Sequence, residues 1–377
     1  MPNVTPPAFC WIDTPDALDA ACREVEHADV IALDTEFFRE KTFYPLPALI
    51  QFAAGELAYL VDPLVTPCTE AFRRLLTQGP LKLLHASSED LEVFTAWAGA
   101  VPMPLVDTQI AQGFLGDTPG MGYQRLVELW MGKVLPKEET RSNWLERPLS
   151  PAQCDYAALD VIYLLKVWRL QFAELEKLGR WEWLQQECEE LVSQVGRNKV
   201  TDGQWYLRQR QLWRLKPRQI EAYRLLTTWR EGEARRRDLP RNWLVSDKVL
   251  YAIAEALPTH RAALAEVEGV KPMLIKKQGD TILALVKQAV AQQEADLPPA
   301  LPAPSGSAFK SRFKGIKSEV NAEAERLGMA PEMLLRRRDM EALVVADMEH
   351  KPLPLPSGWR GERLNEALQQ VLQEAEA

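Results

Sequence analysis

Three short apolar runs, ADVIALDTEF, ALIQFAAG and LAYLVDP, fall within residues 28–62, with Pro or Gly between or beside them. Their length and their content of Ile, Val, Leu, Phe and Tyr predict strands. The AAGEL link between the second and third suits a hairpin, so the region is expected to open with three antiparallel strands. A helical pattern over about residues 69–77 follows. Then comes the apolar run KLLHAS, a further predicted strand, which leads directly into SSEDLEVFTAWAG. Ser87 or Ser88 is placed to cap that helix, with acidic residues in its first turn. Beyond the short apolar LVDT, helical patterns cover residues 109–114 and 123–131, and PKEETRSNWLERPLS, which has no period, predicts a loop. Ser150 and Pro151 open a long helix that Gly179 interrupts. Strands alternating with helices place residues 1–203 in the α/β class.

From Trp205 the strand signal is gone. Amphipathic patterns such as IEAYRLLTTWREGEARRR and DKVLYAIAEALP predict an all-helical domain over residues 204–293. The Pro/Ala/Ser/Gly stretch DLPPALPAPSGS marks a linker over 294–307, too poor in large apolar groups to pack. A third, helical segment over 308–377 contains SEVNAEAERLGM and a helix start at Pro331. It either buries a small core of its own or leans on its neighbours.

Composition narrows the class. The chain has 377 residues, 46% of them hydrophobic, as in ordinary folded proteins. No run approaches the roughly 18 apolar residues of a membrane span, so no membrane role is expected. The N-terminus carries no export signal, which makes the cytoplasm the expected location. Cys10, Cys22, Cys68, Cys154 and Cys188 are scattered without a CxxC pair, which argues against a zinc ribbon or a disulfide framework. The net charge of −8 hides a split: residues 204–293 hold 17 Lys and Arg against 9 Asp and Glu. That local excess reads either as a surface for nucleic-acid phosphates or as a solvated helical face. Arg235, Arg236 and Arg237 are its densest cluster, and helical spacing lets at most two of them serve one surface.

The candidate chemistry begins in IALDTEFF. Side chains alternate along a strand, so Asp34 and Glu36 share one face while Thr35 takes the other. Two carboxylates set among Ile31, Ala32, Leu33, Phe37 and Phe38 need positive charge if buried, and a hard divalent cation suits oxygen ligands. At the strand-to-helix junction HASSED, Asp90 stands in a first helical turn where ligands of α/β sheets gather, and Glu89 is its rival on sequence alone. His85 is expected behind the site, as a hydrogen-bonded residue at a strand end. In the long helix, Tyr156 and Asp160 are four residues apart and lie on one face. Phe38, just past the acidic pair, is a candidate for stacking on a base. Acids from a strand, a helix start and a second helix, if they converge, suit two cations about 3.5–4 Å apart and hydrolysis of a phosphodiester.

At these residues the chain resembles the tyrosine-bearing branch of the DEDD superfamily of 3′-5′ exonucleases, and within it the ribonuclease D family. DTEF at 34–37, HASSEDLEVF at 85–94 and YAALD at 156–160 are similar to the family's three blocks, in the family's order. The likeness extends to DPL at 62–64, DTQ at 107–109 and WLERPLS at 144–150. One departure is Ser142-Asn143-Trp144, where the family tends to show Ser-Asp-Trp. Residues 208–290 resemble the HRDC module through LLTTWREGEARRRDLP, SDKVLYAIAEALP and LAEVEGV, and the segment after 308 resembles a more divergent second copy.

The resemblance implies a ribonuclease H-like mixed-sheet catalytic domain followed by two all-α HRDC-type domains. It implies that Asp34, Glu36, Asp90 and Asp160 bind two divalent ions, Mg²⁺ or Mn²⁺, and that Tyr156 positions the attacking water. It further implies a substrate of RNA with a single-stranded 3′ tail, among them tRNA precursors, cut to 5′-mononucleotides with no obligate protein partner. Two other readings stay open at this point: a DNA exonuclease with the same site, and an inactive nucleic-acid-binding protein.

Overall fold

The computed structural model describes residues 6–116, 118–135, 139, 142–197, 203–301 and 306–374. Among them runs one mixed sheet. Its strands are β1 (Ala8–Ile12), β2 (Val30–Phe38), β3 (Leu46–Ala53), β4 (Leu57–Val61), β5 (Leu81–Leu84) and β6 (Leu105–Asp107), in the order β1-β4-β3-β2-β5-β6. β2, β3 and β4 are antiparallel neighbours, as their spacing predicts, and β1, β5 and β6 join parallel to their neighbours. β2 is therefore interior and reaches both faces of the sheet.

Alternation along β2 separates two cores. Ile31 and Leu33, with Ile50, Phe52 and Leu84, pack under α1 (Pro15–Val25), α2 (Glu70–Thr77) and α3 (Ser88–Ala98). On the other face lie α4 (Thr108–Leu115), α5 (Tyr123–Met131) and α6 (Pro151–Lys177). There the sheet presents Ala32, Ala53 and Ala58 to Ala158, Val161 and Leu165 of α6, and the alanines of the strands leave room for the helix side chains. α6 starts where the sequence places it. Ser150 accepts from the Gln153 N–H, and Gln153 Oε1 accepts from the Ser150 N–H, a reciprocal cap with Pro151 in the first turn. Gly179, at φ +64°, ends the run before α7 (Trp181–Arg197).

By its internal contacts the chain divides into two compact units. One comprises Met1–Phe38, Pro45–Val195 and Ser307–Ala377, the other Arg39–Tyr44 and Gly196–Gly306. The second unit is built from α8 (Pro217–Arg237), α9 (Arg241–Leu244), α10 (Asp247–Ala256), α11 (Arg261–Ala265) and α12 (Pro272–Ala291) around Tyr223, Leu226, Leu250, Ile253, Ile282 and Val286. Residues 39–44, which precede β3 in the chain, belong to this unit rather than to the one the sequence order suggests. Asp238, at the C-terminus of α8 with φ +50°, accepts from the backbone N–H groups of Phe43 and Tyr44, both at 2.9 Å. The guanidinium groups of Arg235 and Arg241 both lie over the Phe43 ring, 4.7 and 4.6 Å from its centroid.

The C-terminal segment forms α13 (Ser307–Leu327), α14 (Pro331–Leu334), α15 (Arg337–Met348) and α16 (Gly358–Glu374). Of the two alternatives the sequence leaves for it, it takes the second and leans on its neighbours. Ile316, Leu343, Trp359 and Leu368 share one apolar cluster with Phe114, Leu184 and Cys188. Trp359 stacks on Trp183 at 4.7 Å, and Arg360 pairs with Glu187. A segment this short gains more by joining an existing core than by closing its own.

Candidate active site

Asp34 and Glu36 leave β2 on the face that α6 covers, and Asp160 comes down from α6 to meet them. One carboxylate oxygen from each lies within 4.8 Å of the other two. Burial is the first cause that pushes the carboxyls of Asp34 and Glu36 well above the usual range, and the neighbouring acids push them further. Asp160, 8% exposed, is pushed up to about 8 by burial, while a hydrogen bond from the Tyr156 hydroxyl works the other way. The sequence expected four acids to converge, and the structure brings three together at this distance. Asp90 lies outside that cluster. It comes from α3, on the other side of the sheet, where the hydroxyl of buried Thr35 donates to its carboxylate. Its carboxyl is raised by burial and by Asp34, and the Thr35 bond lowers it.

The turn that delivers Asp90 is held by a residue the sequence reading did not single out for a role. Asp107, ending β6, accepts from the backbone N–H groups of Ala86 and Ser87 at 3.1 and 2.8 Å and from the Ser87 hydroxyl at 2.9 Å. Ala86 sits at φ +55°, a left-handed conformation that costs a non-glycine residue about 1–2 kcal/mol, and these bonds hold it there. The Ser87 hydroxyl therefore does not cap α3, because it is committed to Asp107. The rivalry in SSED is resolved by helix orientation: Asp90 turns inward and is buried, whereas Glu89 faces out.

His85 does not meet the acids through its ring nitrogens. Nδ1 lies 2.9 Å from the Thr108 hydroxyl and Nε2 3.0 Å from the Met121 carbonyl, and burial lowers its pKa. It ties β5 to α4 and to the approach of α5. Tyr123, next to it, escaped the sequence reading because nothing in its local pattern marks it. Its hydroxyl donates to the backbone carbonyl of Asp160 at 2.5 Å, fixing the turn of α6 that carries the acid. Tyr156 lies one turn from Asp160, and its ring packs 6.0 Å from that of Trp144. The DPL and RPL segments explain each other. Arg147 forks onto Asp62 at 2.6 and 2.8 Å and also donates to the carbonyls of Ala48 and Trp144. The loop before α6 is thereby fastened to the sheet beside Tyr156. Part of PKEETRSNWLERPLS lies outside the described residues.

The remaining candidates are elsewhere. Phe38 is half-buried at the end of β2, paired with Leu46. The arginine cluster ending α8 is paired within its own helix: Arg235 with Glu231, and Arg236 and Arg237 both with Glu233. Of the three, Arg236 is the most exposed.

The carboxylate cluster suits hard divalent cations. It offers only oxygen donors, its acids repel one another in a buried setting, and the charges acting on Asp34 and Glu36 are those of their fellow acids. Residues 9–172 match the model of a 3′-5′ exonuclease family, and residues 219–286 that of the HRDC domain. Sheet, acids and family match together define a divalent-metal-dependent 3′-5′ exonuclease. The chain is 40% identical over 377 residues to ribonuclease D of Pseudomonas paraeruginosa, covering 99% of this chain and 100% of that one. It is 39% identical over 376 residues to ribonuclease D of Escherichia coli, covering 97% and 99%. The crystal structure of Escherichia coli RNase D, an exoribonuclease involved in structured RNA processing, matches with a TM-score of 0.88 at 36% identity over 97% of this chain and 99% of that one. The catalytic core of RRP6 from Trypanosoma brucei, at 20% identity and a TM-score of 0.52, shares the fold. The chain belongs to the ribonuclease D family and is a 3′-5′ exoribonuclease. Among the described residues, no helix is long and apolar enough to cross a membrane.

Proposed function

We propose that this exoribonuclease trims single-stranded 3′ tails of tRNA precursors, releasing 5′-mononucleotides, with two divalent ions, Mg²⁺ or Mn²⁺, held by Asp34, Glu36, Asp90 and Asp160. The observation that carries the reading is the half-buried cluster of Asp34, Glu36 and Asp160, whose mutual repulsion at neutral pH a bound divalent cation relieves. Held by these acids, such ions would lower the pKa of a water and stabilise the leaving oxygen of an in-line displacement. The chain's own groups do the positioning. β2 presents Asp34 and Glu36 from a rigid interior strand, Thr35 steers Asp90, and Tyr123 anchors the turn of Asp160. The Tyr156 hydroxyl holds and orients the attacking water. That water's oxygen bonds to phosphorus as the bond to the 3′-oxygen breaks; a proton given up by the water is matched by one taken up on the 3′-oxygen, so the shortened RNA leaves with a 3′-hydroxyl and the nucleotide with a 5′-phosphate.

Support for an RNA substrate comes from the names of the relatives. Support for contacts outside the active site comes from the basic excess of residues 204–293, where Arg236, the most exposed of the three clustered arginines, is the candidate phosphate ligand. Phe38, at the end of β2, is the candidate for stacking a base. The five cysteines carry no disulfide, which fits work in the reducing cytoplasm. The test is turnover of a 5′-labelled tRNA precursor with its 3′ tail, beside a matched DNA tail, in Mg²⁺ or Mn²⁺. Asp34→Asn and Asp160→Asn are expected to abolish trimming while RNA affinity persists. Normal trimming by either variant overturns the site, and equal rates on the DNA tail overturn the substrate.

A further inference from the structure

Gln51 sits in the middle of β3 with no exposed surface, and neither Nε2 nor Oε1 of its side chain has a hydrogen-bond partner. An orphaned amide in a core is rare and costly, and a hydrophobic residue of the same size fills such a place better. Its position supplies a reason. In the sheet register Gln51 lies directly opposite Asp34, where paired side chains stand on one face with Cβ atoms about 4.5–5.5 Å apart. Its chain neighbours Ile50 and Phe52 belong to the core under α1 to α3. Leu49 and Ala53 belong to the clusters under α6, and Gln51 alternates with them onto that same face. The unpartnered amide thus stands beside an acid of the cluster, on the side from which Asp160 descends.

We infer that Gln51 is the positioning residue of Asp34: when a divalent cation is bound, the otherwise unpartnered Nε2–H donates to the Asp34 carboxylate and holds it in place as a ligand. Glutamine suits this task better than a charged residue. Its amide can donate to the carboxylate without adding charge to a site already crowded with acids. Outer partners of this kind orient metal-binding carboxylates and typically change metal affinity by about 10- to 100-fold. The inference rests on the reading of Asp34 as a metal ligand.

Gln51→Met keeps the volume and removes the amide. In chelator, the variant is expected to melt at or above the wild-type temperature, because an orphaned polar group has been removed. Its Mn²⁺ affinity without RNA, read by electron paramagnetic resonance, is expected to fall by about 10-fold or more. Its kcat at limiting Mn²⁺ should fall while KM for RNA holds. Unchanged Mn²⁺ affinity in the Met variant overturns the inference. The wild-type protein gives a second readout that does not depend on how the variant folds. With glutamine side chains labelled by ¹⁵N, the Gln51 NH₂ signal should shift and its hydrogen exchange slow on addition of Mg²⁺, and a signal indifferent to Mg²⁺ overturns the inference as well. Asp34→Asn serves as the control. If it binds Mn²⁺ like wild type, the ligand reading itself fails, which is a different result from unchanged affinity in Gln51→Met alone.

Discussion

Thr35 and Asp90 are joined across the end of the sheet: the hydroxyl on the α3 side of β2 donates to the carboxylate in the first turn of α3, while Asp34 and Glu36 on either side of Thr35 face α6. Three consecutive residues of one strand therefore serve acids on both faces. An edge strand covered on one face only could not do this.

That relationship makes Thr35→Val informative. Valine keeps the shape and removes the donor, so the Asp90 carboxyl loses an interaction that lowers its pKa and rises further. The Mn²⁺ concentration for half-maximal trimming is expected to rise by about 10-fold. A metal titration of activity reads this directly, and an unshifted curve would reduce Thr35 to packing.

Tyr156→Phe removes only the hydroxyl. Burial and the neighbouring acids raise the Tyr156 pKa, so it keeps its proton across the working range and acts as a donor rather than a base. Single-turnover trimming is expected to fall by about 100-fold, as misplacement of a reacting group does. RNA affinity, and the pH at which activity appears, should stay as in wild type.

The acids also set a pH dependence of stability, and its sign follows from their raised pKa values. A carboxyl raised by folding stabilises the folded state most fully below its unfolded pKa, about 4, and that contribution is lost as pH rises through its folded pKa. For Asp160 this loss runs up to about 8. Chelated protein is therefore expected to melt at progressively lower temperature from about pH 4 to about pH 8. Saturating Mg²⁺ or Mn²⁺ should remove the decline, and trimming at fixed metal should fall in acid because protons compete for the ligands. Melting curves across pH, with and without metal, check both halves.

Arg147→Ala leaves Asp62, 4% exposed, without its forked partner. Breaking such a pair from one side costs about 3 kcal/mol or more, which urea denaturation measures. Arg147→Lys is expected to recover only part of this, because an ammonium cannot reach both carboxylate oxygens and the Ala48 carbonyl in one plane.

Arg236→Ala tests the basic unit. If Arg236 neutralises one phosphate, binding weakens alike for all RNA sequences and the salt dependence of affinity flattens by about one unit of slope. An unaltered slope would leave the pairing with Glu233 as its whole role.

Much of the candidate site was legible because strands and helices have fixed periods. Alternation in IALDTEFF separates Asp34 and Glu36 from Thr35, and a spacing of four sets Tyr156 beside Asp160. The bounds of α5 and α6 agree with their patterns for the same reason, and caps and long periodic runs mark themselves. β1 was not legible. Four of its five side chains are not buried, so AFCWI shows no alternation, and LVD of β6 is too short to show any. Thr35, Asp107, Tyr123 and Gln51 carried no signal either, since each acts through a partner far along the chain.

The amino-acid sequence by itself determined the types of the elements with a clear period, the family resemblance and which acids share a face, because these depend on residue type and on periods spanning a few positions. Only the tertiary structure decided that Asp90 rather than Glu89 turns inward, that residues 39–44 belong with the helical unit, and that the C-terminal helices share the catalytic core. Each of those outcomes is set by contacts between residues tens to hundreds of positions apart, and no local pattern encodes which distant surface a segment will meet.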